Sequence, residues 1–162
     1  MISLKNSDQI AKMRAAGKLL YEVHQKLRAE IKPGVTTADL DAYAESLIRK
    51  AGAIPSFLNY EGYPATLCTS VDDAVVHGIP SKKQVLKEGS IISVDCGLIL
   101  DGWQSDSAFT VGVGEISPTK PSGSSTSPRS ASGALPVSAS PAIAWAMWGM
   151  PVRSGLRATA AV

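Results

Sequence analysis

The chain has 162 residues, 44% of them apolar, and a formal net charge of +2. That is enough for one domain with a core, which excludes a chain disordered throughout, and no apolar run approaches the length of a membrane span. Met1-Ile2-Ser3-Leu4-Lys5 turns polar at once, so no secretory leader is expected, and the two cysteines, Cys68 and Cys96, make no disulfide framework; both features point to a reduced, cytoplasmic setting.

Asn6 or Ser7 is placed to cap a first helix. Ile10, Met13, Gly17, Leu20, Val23, Leu27 and Ile31 follow at steps of three or four and predict one apolar face, with Pro33-Gly34 as the stop. Thr36 or Thr37 caps a second helix that turns Leu40, Ala44, Leu47 and Ile48 inward and ends at Gly52. His24, mid-helix beside the first apolar face, reads as a core histidine. From residue 53 the pattern changes to short β-rich runs separated by Gly and Pro, and two helices followed by strands predict an α+β fold.

Ile91 to Leu100 reads as a buried strand and Trp103 to Val111 as another, with Asp101-Gly102, a strong hairpin signal, between them. A two-residue turn pairs 100 with 103. Asp95 then lies opposite Ala108 and Asp106 opposite Gly97, which puts Asp95 and Asp106 on one face as diagonal neighbours, Cα atoms roughly 7–8 Å apart. Two inward carboxylates repel each other unless a positive group stands between them, and a pair of divalent ions fits such a gap. A plainer reading, one acid beside the turn and one facing solvent, stays open on pattern alone.

His77 ends the apolar run Ala74-Val75-Val76 and precedes Gly78-Ile79-Pro80. It suits a cleft-facing proton donor or substrate ligand, and equally a core histidine. Cys68 reads as a small buried hydrophobe, with no local feature that would activate its thiol. Tyr60 and Tyr63, spaced through Glu61-Gly62, suit a pocket wall or the rim of the core.

The motifs Asn59-Tyr60-Glu61-Gly62-Tyr63-Pro64, Cys68-Thr69-Ser70-Val71, Val76-His77-Gly78-Ile79-Pro80, Leu86-Lys87-Glu88-Gly89, Ser93-Val94-Asp95-Cys96-Gly97 and Asp101-Gly102 through Asp106-Ser107 together resemble type I methionine aminopeptidase, in order and spacing. The opening helix, with Met13-Arg14-Ala15-Ala16-Gly17, is similar too. Ser107 stands where many members carry Thr. The resemblance implies the N-terminal half of a pita-bread (creatinase/aminopeptidase-like) fold and a metallo-exopeptidase that removes the initiator methionine from new proteins. It also implies two divalent ions (cobalt, manganese, iron or zinc) with Asp95 and Asp106 as ligands. His77 would contact substrate near the scissile amide, and Tyr60, Tyr63 and Cys68 would form the methionine pocket. The partner implied is the N-terminal Met of nascent polypeptides, met at the ribosome by a monomeric enzyme, with no membrane and no specific nucleic-acid partner. Two other readings compete: a non-catalytic relative acting as a binding module, and a proline-specific dipeptidase of the same fold, against which the Tyr60 to Cys68 segment argues.

The resemblance stops near residue 117, so the chain is expected to divide into an aminopeptidase half, 1–117, and a low-complexity, disordered tail, 118–162. Residues 1–115 hold all 14 acids against 12 Lys and Arg, whereas 116–162 hold four bases and no acid. Of residues 117–162, 29 are Ser, Pro, Ala or Gly. Such a basic segment could suggest nucleic-acid contact, but the genetic code offers a better reason. Read one frame over, Trp145 to Pro151 forces Gly, Val, Gly and Ala and permits Gly-Asp-Val-Gly-His-Ala, which resembles the family's second half. Pro121 to Gly133 permits an amphipathic helical sequence in the same frame. The tail is therefore expected to be the right gene in the wrong frame, with a slip near Ser117 to Thr119. The family's metal centre needs a further His and two Glu, but the last His here is His77 and the last Glu is Glu115, so the chain as written is expected to be inactive.

Overall fold

The structure is a computed structural model and describes residues 4–116; the tail from 118, with its expected disorder, lies outside the described residues. Helix α1 spans Ser7–Glu30 and helix α2 spans Thr37–Lys50. Both begin with a reciprocal capping box that satisfies otherwise orphaned backbone donors. Gln9 N–H donates to the Asn6 side chain at 2.9 Å, and Asn6 N–H donates to the Gln9 side chain at 3.0 Å. Thr36 and Asp39 repeat the arrangement at 3.1 Å in both directions. The Thr36 hydrogen bonds hold the Asp39 carboxyl below its ordinary range.

Four strands form one antiparallel sheet: β1 (Ile54–Pro55), β2 (Leu67–Val71), β3 (Ile91–Leu100) and β4 (Trp103–Gly112). β3 is central, with β4 along one side and β2 and β1 along the other. Its even-numbered residues Ile92, Val94, Cys96 and Leu98 are fully buried, while Ile91, Ser93, Asp95 and Ile99 are only partly so. The strand expected to be buried is thus buried on one face. That face joins Leu20 and Leu27 of α1 and Leu40 and Ile48 of α2 in a single core. Each such side chain contributes roughly 1.5–3 kcal/mol by leaving water.

The apolar stripe expected along α1 buries only from Ala16 onward; Ile10 is 45% and Met13 39% exposed. Gly17 lies against Ser105, near the hairpin end of β4, and Arg28 lies against Phe109, further along the strand. The helix therefore advances along β4 in the same direction, and its first turns run past the hairpin, where no sheet remains to cover them. The helix also stops earlier than expected, at Glu30, with Ile31 N–H donating to Leu27 O at 3.2 Å; Pro33-Gly34 belongs to the following turn.

His24 is a core histidine, as its position predicts. Its ring meets Phe109 edge-on at 4.9 Å, Arg28 sits 4.1 Å from the centre of the same phenyl ring, and the buried Nε2 has no hydrogen-bond partner. Burial, and secondarily the charge of Arg28, push the imidazole down from 6.5 to about 4. Between those values the unfolded chain takes up a proton that the folded chain refuses, so folding weakens as pH falls through that window. His24→Leu should flatten the drop in urea midpoint between pH 7 and pH 4.5, followed by far-UV circular dichroism. An equally steep drop in the variant would exclude His24 as its cause. Thr36→Ala should cost about 1 kcal/mol at any pH in that range, through loss of the cap.

Candidate functional site

The β3–β4 register is the one the turn dictates: Leu100 pairs with Trp103, Asp95 with Ala108 and Gly97 with Asp106. Asp101 at φ 49° and Gly102 at φ 78° are both left-handed, as a two-residue hairpin turn of this hand requires. Asp95 and Asp106 consequently share the sheet face turned away from the helices, and their carboxyls hydrogen bond to each other. Two carboxyls can bond only through a shared proton. Burial raises the Asp95 carboxyl above the usual range, against the bond to Asp106, the Cys96 backbone N–H and the charge of His77. Burial also raises Asp106, and there the charge of Asp95 and the bond between the two acids push in the same direction. Asp106 itself keeps an open solvent face.

β2 extends the site. Cys68 pairs directly with Asp95, so Asp106, Asp95 and Cys68 form a row across three strands on one face. The Tyr63 hydroxyl donates to Leu67 O at 2.9 Å and also hydrogen bonds to the Cys68 thiol. Burial raises both groups, and the nearby carboxylates add to the effect. Thiol and phenol are therefore protonated at neutral pH, and Cys68 is no activated nucleophile.

His77 lies in the segment between β2 and β3, with Val75 and Val76 exposed before it, and its backbone is left-handed at φ 58°. It sits within electrostatic reach of Asp95. Of the expected site residues, the fold thus brings together Asp95, Asp106, Cys68, Tyr63 and His77. Tyr60, on a single 3₁₀ turn at Tyr60–Gly62, is 61% exposed.

Asp41 is a supporting residue that the sequence did not reveal. Its half-buried carboxylate, on α2, accepts the backbone N–H groups of Thr66 and Leu67 at 2.9 and 2.8 Å and so anchors the start of β2. Burial raises its carboxyl, opposed by these two bonds. Nothing in residue spacing marks an acid just off an apolar stripe as a strand anchor. Phe57, whose ring packs over Gly97 where no side chain intervenes, was equally unmarked.

Two facing carboxylates that must otherwise share a proton suit a hard divalent cation in kind. They fall short in number: among the described residues, no group of three or more His, Cys, Asp or Glu stands together to hold a metal ion.

Because the folded pair binds a proton that the unfolded chain has already released, it weakens folding as pH rises through the raised carboxyl range, the opposite sense to His24. Asp106→Asn should leave the metal-free chain more stable at pH 8 and less sensitive to pH between 5 and 8. A lower urea midpoint for the variant at pH 8 would contradict the strained-pair description.

The model of metallopeptidase family M24 matches residues 11–123. A methionine aminopeptidase of Clostridium acetobutylicum is 57% identical over 117 residues, covering 72% of this chain and 47% of that protein. The crystal structure of methionine aminopeptidase from Rickettsia prowazekii aligns with a TM-score of 0.70 at 40% identity, over 72% of this chain and 47% of that one. The Xaa-Pro dipeptidase from Bacillus anthracis, at 24% identity and a TM-score of 0.61, shares the fold. The architecture is that of the N-terminal half of a pita-bread fold, and the chain spans about half the length of the curated relatives it matches. A family match across most of a chain whose sheet presents two facing carboxylates leads to one assignment: the chain belongs to metallopeptidase family M24.

Proposed function

We propose that residues 1–117 are the N-terminal half of a metal-dependent methionine aminopeptidase, an enzyme that removes the initiator methionine from new proteins. The observation that carries this reading is the Asp95–Asp106 pair, two carboxylates held on one sheet face by a fixed hairpin register. The identity to methionine aminopeptidases, well above that to the Xaa-Pro dipeptidase, supports methionine over proline specificity.

Asp95 and Asp106 would hold metal, and divalent ions such as cobalt, manganese, iron or zinc supply Lewis-acid polarisation and an activated water when bound. His77 would meet the substrate near the scissile amide and stabilise charge developing there. Tyr63 and Cys68, both protonated, offer a neutral wall to a thioether side chain, with Tyr60 at its outer edge. A neutral wall suits methionine because a charged one would disfavour an apolar guest. The substrate is the N-terminal Met of nascent chains, met at the ribosome in the cytoplasm by a monomer. Among the described residues no helix is long and apolar enough to cross a membrane.

Residues 116–162 contain no Asp, Glu, His or Cys, so they add no carboxylate, imidazole or thiolate to the pair. We infer that this segment arose by a frame slip near residues 117–119. A second reading is a non-catalytic relative that binds without cleaving; among the described residues Asp95 and Asp106 have no third ligand beside them.

The nucleotide sequence should show a one-base slip near codon 118, with the shifted frame running past codon 162 into a segment with one His and two Glu. Stop codons throughout the alternative frames would refute the slip. Given excess cobalt or manganese, the 162-residue chain should release no methionine from Met-Gly-Met above background. The frame-restored chain should release it, and Asp95→Ala or Asp106→Ala in that chain should abolish the release. Turnover by the 162-residue chain would overturn this ligand account, and a frame-restored chain that stays inert would favour the binding module.

A further inference from the structure

We infer that Gly78 and Ser70 are positioning residues that lock His77 in its left-handed backbone and turn it toward the carboxylate row. This rests on the reading of Asp95 and Asp106 as metal ligands and of His77 as a substrate contact. Gly78 seats the chain along the outer edge of β2. Thr69 N–H donates to Gly78 O at 2.7 Å, and Gly78 N–H donates to Ser70 Oγ at 3.2 Å. The same Gly78 carbonyl lies 3.4 Å from the Tyr63 hydroxyl, whose closer acceptor is Leu67 O, and 3.5 Å from the Thr69 hydroxyl. One peptide unit thus ties together β2, the Tyr63 wall and the residue after His77.

The contact is too close for a side chain. A β-carbon on Gly78 would overlap the Thr69 carbonyl group and come within 3.0 Å of the Ser70 Cα. Those atoms are backbone inside a hydrogen-bonded strand and cannot turn aside. Ser70 itself is 5% exposed, so its hydroxyl is a fixed acceptor. His77, at φ 58°, holds a conformation that a non-glycine residue keeps only when its surroundings enforce it. The Gly78 clamp is the enforcement on its C-terminal side. Released from the clamp, His77 returns to an extended backbone and its ring leaves the side of the sheet on which Asp95 and Cys68 lie.

The test uses the full 162-residue chain, isotope-labelled, by nuclear magnetic resonance. Without metal, the HN–Hα coupling and intraresidue contacts of His77 should report a left-handed backbone. In Gly78→Ala, and in Ser70→Ala, which adds no bulk, they should report an extended one, while the His24–Phe109 contacts show that the core is intact. Manganese(II) added alone should broaden the amides of Asp95 and Asp106 and the ring protons of His77. In both variants broadening at the two Asp should persist, while that at the His77 ring is at least halved, a change that lost stability alone would not produce. A left-handed His77, or undiminished ring broadening, in either folded variant would overturn the proposal. If manganese leaves Asp95 and Asp106 sharp in the unaltered chain, the metal reading falls, and the backbone couplings alone still decide for or against the clamp.

Discussion

A two-residue turn with both central residues left-handed closes the β3–β4 hairpin, and the pairing of Asp95 with Asp106 follows from it. Side chains alternate with period two along each strand, so one extra residue in the turn would send Asp106 to the helix face and leave Asp95 alone. Asp101 tolerates the left-handed region better than most residues, and Gly102 meets no steric penalty there. The even face of β3 reinforces the register. Ile92, Val94, Cys96 and Leu98 must all face the helices together, and a slip by one residue would put Asp95 into that core instead.

Four acids show how the fold treats a carboxylate in different surroundings. Asp39, fully exposed, is held low by the hydroxyl and backbone N–H of Thr36. Asp41 is half-buried and raised, yet it receives two backbone donors and spends them on anchoring β2. Asp95 and Asp106 have mainly each other, and a pair that must share a proton is costly unless a cation takes its place. Asp39 and Asp41 find donors, whereas this pair meets mainly its own like charge, an arrangement that marks a candidate site.

The supporting interactions run in sequence across the sheet. Asp41 anchors the first residues of β2, and β2 carries Cys68 opposite Asp95. Thr69 and Ser70 on the same strand receive Gly78, and Gly78 follows His77. Site residues far apart in the chain thus depend on one short strand whose five residues are all buried. Sites carried on such packed elements hold their geometry better than sites on free loops.

The helices, their caps and the Asp95–Asp106 pairing were legible in the sequence because each depends on near neighbours. Capping boxes span three residues, helical faces repeat every three or four, and a two-residue turn dictates the pairing of the strands beside it. The exposure of Ile10 and Met13 was not legible, because periodicity marks a face but not how far the sheet beneath it extends. Nor were the roles of Asp41, 25 residues before the first backbone group it holds, and of Gly78, whose value lies in its approach to Thr69. Position at the end of an apolar run, and then resemblance, singled out His77, while its left-handed backbone and its reach to Asp95 came only from the folded chain. Local sequence determined the elements and the register of one hairpin; long-range packing decided which polar groups face each other, because no residue's spacing encodes what a distant segment will lay against it.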